Sequence, residues 1–209
     1  MAVRRCETVP RADASRLSEP EGAVFQLLDG ETLVLGRIAS LLGVMAVLAA
    51  TPADAKVLAF NADLRGDAPS STTGSKATGH AKILVNTDTQ TVDVALNVDG
   101  LKIDDLWTKL RNSPKGPIHL HIYGSHDHSG NAPAALIFPL PYGPSYVATE
   151  KGFKVDVKSA PYTAGAKLVQ SDASFDEFVS SLQNGRLVLN IHTNANPAGE
   201  ISGDVIPAK

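Results

Sequence analysis

Apolar residues recur at every second position in segment after segment of this chain, and that period of two leaves few folds open to it. Leu58, Phe60, Ala62 and Leu64 alternate with polar or small residues; so do Ala81, Ile83 and Val85, and then Val92, Val94, Leu96 and Val98. Successive side chains of a strand point to opposite faces, so each run predicts a strand with one buried face. Asn86-Thr87-Asp88-Thr89 has turn chemistry, which makes the last two runs a hairpin. The stretch 67–78 is rich in Ser, Thr, Gly and Pro and reads as a loop. Residues 101–117 form a connection with at most one helical turn around Asp104 to Leu110. A strand over Ile118 to Tyr123 follows, then a Gly/Ser/Asn loop to Pro133 and a short apolar strand over Ala134 to Leu140. Pro139, Pro141 and Pro144 make the next stretch irregular, and Phe153, Val155 and Val157 mark another strand.

One helix stands out. Ser174 and Glu177 have capping-box spacing, Ala173 and Phe178 are placed for a staple, and Phe175, Phe178, Val179 and Leu182 supply a buried stripe that ends at Gly185. A strand over Arg186 to His192, a loop over 193–199 and a last strand over Glu200 to Ile206 complete the chain. About seven or eight short strands with one good helix predict an all-β fold, an antiparallel Greek-key sandwich or flattened barrel.

The N-terminal part has a different composition. Arg37 precedes an uncharged apolar run from Ile38 to Ala50, followed by Ala53-Asp54-Ala55. A short apolar core behind a positive residue, closed by a small-x-small pattern, predicts a signal peptide over 37–55 with cleavage after Ala55; a membrane span needs about 20 residues. An uncleaved N-terminal anchor is the alternative. Residues 1–36 are too long and too polar for the start of a leader, so they read as a non-native or disordered extension, with translation expected to begin near Val34 or Leu35. The folded domain is then 56–209, periplasmic or secreted, with no stable membrane span after cleavage. The one cysteine, Cys6, precedes it, so the exported domain is expected to rely on core burial and not on disulfides. The net charge of the 209-residue chain is −3, with neither sign dominant, which gives no footing for a nucleic-acid or anionic-membrane partner.

Chemistry concentrates at the histidines. Of the 6 in the chain, four fall between His119 and His128. In the strand Ile118 to Tyr123, Ile118, Leu120 and Ile122 would enter a core while His119, His121 and Tyr123 share the other face. The two imidazoles would stand roughly 6 to 7 Å apart, within reach of one metal ion. His192 follows the same logic: Leu187, Leu189 and Ile191 turn inward, Val188, Asn190 and His192 outward. Pairing of the two strands would converge three imidazoles, a ligand set suited to copper and zinc. His126 and His128 are added candidates in a Gly/Ser loop, and His80 reads as a surface residue. Glu200 is placed either to orient a ligand histidine or to act as a cross-strand partner.

The His119-Leu120-His121 strand, the helix ending Leu182-Gln183-Asn184-Gly185, and Leu189-Asn190-Ile191-His192-Thr193 with Asn196-Pro197-Ala198-Gly199-Glu200-Ile201-Ser202-Gly203 together resemble the CHRD domain. That module is repeated in chordin and found singly in exported bacterial proteins. Its last motif usually carries a basic residue and an amide where this chain has Ser202 and Asp204. The resemblance spans nearly all of Val57 to Ile206 and implies an immunoglobulin-like or superoxide-dismutase-like β-sandwich.

Two functions follow as expectations. The first is a periplasmic or secreted metal-binding β-sandwich holding an ion at His119, His121 and His192, with His126 and His128 nearby, and with copper favoured over zinc. The second is a non-enzymatic module for an extracytoplasmic protein partner, with the histidines as scaffold. The histidine pattern also resembles the copper site of Cu/Zn superoxide dismutase. That family holds its long loop with a disulfide, which this domain lacks, and Arg186 would lie roughly 20 Å from His192 along an extended strand, so catalysis is not favoured.

Overall fold

In the computed structural model, residues 56–124 and 135–209 are described; the expected extension and signal peptide, and the loop histidines His126 and His128, lie outside the described residues. In chain order the elements are β1 (Val57–Arg65), β2 (Asp67–Ala68), β3 (Ser71–Thr72), β4 (Thr78–Asn86), β5 (Thr91–Asp99), a 3₁₀ turn (Ile103–Asp105), α1 (Thr108–Arg111), β6 (Ile118–Ile122), β7 (Ala135–Leu140), β8 (Tyr146–Ala148), β9 (Gly152–Pro161), α2 (Tyr162–Val169), α3 (Phe175–Gln183), β10 (Leu187–Ile191), β11 (Ile201–Asp204) and β12 (Ile206–Pro207). Ten of the strands form one antiparallel sheet in the order β7-β6-β10-β11-β1-β4-β5-β9-β8, with β12 also on β1, and β2 pairs only with β3. The all-β antiparallel expectation holds.

The sheet is forced to curl. Its two edge strands, β7 and β8, are consecutive in the chain and joined only by residues 141–145. Laid flat, nine strands at about 4.8 Å spacing would separate the edges by about 38 Å. Six peptide steps from Leu140 to Tyr146 reach about 21 Å at most. The strands therefore wrap into a half-barrel. Tyr146 of β8 donates its hydroxyl to the carbonyl of Leu140, the last residue of β7, at 2.6 Å.

Inside the curl lies the core that the alternation predicts, with Leu64, Ile83, Val94, Leu96, Leu120 and Leu189 at most 1% exposed. The expected hairpin is β4–β5, in continuous register from Asn86↔Thr91 to Thr78↔Asp99. Ser174 caps α3 by accepting from the Glu177 N–H at 3.1 Å. Among the described residues, the reciprocal arm of the box, from Glu177 back to the Ser174 N–H, is not formed.

Two features go beyond the expectation of one helix and a plain loop. A second full helix, α2, packs on β7, where Gly165 lies so close to Phe138 that a Cβ there would come within 2.5 Å of the ring. Tyr162 of α2 stacks on Phe178 of α3 at 4.7 Å between centroids and donates its hydroxyl to the carbonyl of Ala173 at 2.8 Å. The Ser/Thr-rich stretch after β1 folds into the small β2–β3 hairpin, which lies against the outer face of the sheet. Ser70 Oγ is 2.6 Å from Ser202 Oγ, and Thr73 Oγ1 donates to the carbonyl of Glu200 at 2.7 Å.

Candidate metal centre

β6 and β10 are neighbours in the middle of one wing of the sheet, paired as Ile122↔Leu187, His121↔Val188, Leu120↔Leu189, His119↔Asn190 and Ile118↔Ile191. His192 extends the ladder by one step, its N–H donating to the Pro117 carbonyl at 2.9 Å. This register makes His119 and His192 diagonal cross-strand neighbours, with His121 two residues along from His119 on the same face. The ring centroids are 4.5 Å apart for His119 and His192, 4.7 Å for His119 and His121, and 6.0 Å for His121 and His192. One ligand nitrogen from each ring falls within 4.8 Å of the others. The convergence expected from the two strand patterns is thus present. On the far side of β6, β7 carries a bulge, since Leu120 faces Phe138 but His121 faces Leu136. A bulge bends its strand and re-aims nearby side chains.

The outward face is not a wet one. His119, His121 and His192 are 4%, 9% and 6% exposed, and every residue of β6 and β10 is buried. Part of the cover is the β2–β3 hairpin, held by Ser70 on Ser202, whose neighbour across the β10–β11 pairing is Asn190.

Hydrogen bonds set the tautomers. His192 Nδ1 lies 2.9 Å from the Pro197 carbonyl and His119 Nδ1 lies 3.3 Å from the Gly116 carbonyl. A carbonyl only accepts, so both Nδ1 atoms carry the proton and both Nε2 atoms carry a lone pair. His192 Nε2 and both nitrogens of His121 are buried without a partner among the described residues. Burial holds the rings neutral. His119 is pushed down to about 2, by burial first and then by His192 and His121. His121 is pushed down to about 4 by burial and then His192, and burial also lowers His192, against the Pro197 bond. Three neutral imidazoles, two with Nδ1 bonded to backbone carbonyls, match the way proteins present histidine to a metal.

Asn190 is a member of this face that the period-two pattern placed but did not single out. It stands directly opposite His119, is 4% exposed, and its Oδ1 has no partner among the described residues. Gly199 makes room for it. With φ at +137°, a Cβ on Gly199 would fall 2.5 Å from Asn190 Oδ1, so the glycine of the Asn-Pro-x-Gly turn is fixed by this close approach as well as by the reversal.

Glu200 does not touch a ring nitrogen. Its carboxylate accepts from Thr193 Oγ1 at 2.8 Å and from the Asn196 amide, closing the turn that presents the Pro197 carbonyl to His192. Burial pushes this carboxyl up, but hydrogen bonds from Ser75, Asn196 and Thr193 outweigh it and hold Glu200 below the usual range. His80 is exposed and pairs with Asp63 at 2.7 Å, away from the cluster.

A family model described as CHRD domain matches residues 60–205, most of the described chain. No curated protein and no solved structure matches. Among the described residues, no helix is long and apolar enough to cross a membrane.

Proposed function

We propose, from the premise that this chain belongs to the CHRD domain family, that it is an exported metal-binding β-protein whose ion is held by His119, His121 and His192, with copper favoured over zinc. The observation that carries this reading is His121, a 9%-exposed imidazole with neither nitrogen bonded among the described residues. A buried polar group left without a partner costs about 1 to 3 kcal/mol. A fold keeps such a group when something else satisfies it. A metal ion would engage the lone pair of His121 together with the unpartnered Nε2 of His192 and the Nε2 of His119. An all-imidazole set suits copper.

The test is elemental analysis of the protein purified from the exported fraction, with about one equivalent of copper expected. No metal, even after loading with copper, would remove the reading. A second function then gains ground, a non-enzymatic module for an extracytoplasmic partner. It is favoured by one feature: the His119 and His192 bonds to the Gly116 and Pro197 carbonyls also pin two turns, as scaffold histidines would.

Export is part of the proposal. Signal cleavage after Ala55 would leave the fold whole, because β1 begins at Val57 and the Lys56 carbonyl accepts from the Thr87 N–H at 3.1 Å. N-terminal sequencing of the exported protein should begin at Lys56. A peptide from Arg11 to Arg37 recovered from cells would refute a start near Val34.

A further inference from the structure

We infer that the cluster of His119, His121 and His192 selects a monovalent ion with a filled d shell, cuprous copper, over divalent ions, a claim that rests on the metal-binding reading above. The argument is one of charge and coordination number. All three donors are neutral imidazoles, and the side chains opposite them in the β6–β10 pairing, Val188 and Asn190, are neutral as well. The nearest carboxylate along the chain from His192, that of Glu200, is engaged by Thr193 and Asn196 in the turn.

The cost of moving an ion from water into a weakly polar interior grows with the square of its charge, so a divalent ion meets about four times the penalty of a monovalent one. The three donors are neutral and supply no negative charge to offset that difference, and the Glu200 carboxylate is bonded within its own turn. Coordination points the same way. Cupric copper prefers tetragonal sites with four or more donors, whereas cuprous copper is satisfied by three nitrogens. Beyond the three rings, the buried side-chain oxygens without a partner among the described residues, Asn190 Oδ1, Ser71 Oγ and Ser181 Oγ, are all neutral.

The test uses the chain from Lys56 to Lys209. Cuprous affinity is measured without oxygen against bicinchoninate, cupric affinity against nitrilotriacetate, and silver(I) and zinc(II) are compared for their effect on thermal unfolding. Cuprous binding is expected to be at least 1,000-fold tighter than cupric, which raises the potential of the bound couple by about 180 mV over that of the free ions at 59 mV per tenfold. Silver(I) should raise the melting temperature more than zinc(II) at equal concentration. Asn190→Asp, which adds one negative charge opposite His119, should shrink the cuprous preference at least tenfold by tightening cupric binding. Cupric binding equal to or tighter than cuprous would overturn the selectivity while leaving a metal site in place. Absence of binding by either copper ion and by silver would overturn the metal reading itself. The silver and zinc comparison needs no variant, so a misfolded Asn190→Asp protein leaves the test intact.

Discussion

The Nδ1 of His192 sits 2.9 Å from the carbonyl oxygen of Pro197, and this one bond decides which nitrogen of the ring is available. The proton is held on Nδ1, which leaves the lone pair on Nε2 of a ring 4.5 Å from His119 between centroids. His119 repeats the device with the Gly116 carbonyl. Tautomer and ring orientation are therefore fixed by backbone atoms before any ion arrives.

His119→Ala, His121→Ala and His192→Ala should each weaken copper binding at least tenfold, the order expected for losing a metal contact. Competition titration against a chelator reads this directly. Full affinity in all three variants would remove the site.

Copper-loaded protein should show negligible superoxide dismutation. An anionic substrate needs a guiding cation, and the three arginines of the described residues are engaged elsewhere: Arg65 with Asp67, Arg111 with Asp104 and Tyr142, and Arg186 with the Tyr123 carbonyl at 3.0 Å. A pulse-radiolysis measurement giving rapid turnover that is lost in His192→Ala would establish catalysis instead.

The metal-free protein should lose stability as pH falls below about 6.5. In the unfolded chain each imidazole takes a proton near 6.5, whereas in the fold His119 does so only at about 2 and His121 at about 4. The unfolded state thus binds more protons throughout that window. Unfolding becomes easier by about 1.4 kcal/mol per pH unit for each such histidine, down to about pH 4 for His121. Urea melts between pH 7.5 and 5 measure the slope, and a flat profile would mean that the rings are not buried as described.

Gly199→Ala should cost on the order of 2 kcal/mol and also disturb the metal site. The new methyl would meet the Asn190 amide in a backbone conformation that L residues avoid. Equilibrium unfolding gives the first effect and copper titration the second; a variant as stable as the parent would show that the turn is placed differently.

Ser174→Ala should lower stability by about 1 kcal/mol through loss of the cap on α3, with copper affinity unchanged. Melting curves of the loaded and metal-free variant separate the two. An unaltered midpoint would contradict the cap.

The strands were legible because half-buried strands write their period into the sequence. The hairpin of β4 and β5 follows from Val92, Val94, Leu96 and Val98 with a four-residue turn before them, and the shared face of His119, His121 and His192 follows from the same alternation. Register was not legible. Nothing local states that Asn190 stands opposite His119, since that is settled by how β10 pairs with β6. Helix α2 left no mark of its own either: Pro161 at its N-cap offers no side-chain cap, and Gly165 in its middle is a poor helix former kept for its approach to Phe138. The cover over the histidine face was hidden for a related reason. A stretch of Ser, Thr and Gly looks like any loop until Ser70 meets Ser202, a partner 132 residues away in sequence.

That long-range pairing bears on when the protein can become itself. β1 lies between β4, its near neighbour in the chain, and β11 and β12 from the far end of the sequence. A chain emerging from a ribosome or a translocation pore N-terminus first can zip β1, β4 and β5 together early. It cannot insert β10 and β11 until the last residues are out, and contacts of such sequence separation form slowly. The histidines stay apart for all of that time, His119 and His121 on a strand without its partner and His192 not yet delivered. On the metal-binding reading proposed above, ion capture would be the closing event of maturation, and a chain truncated before β11 would carry all three histidines without the strand that β10 pairs with on its other side.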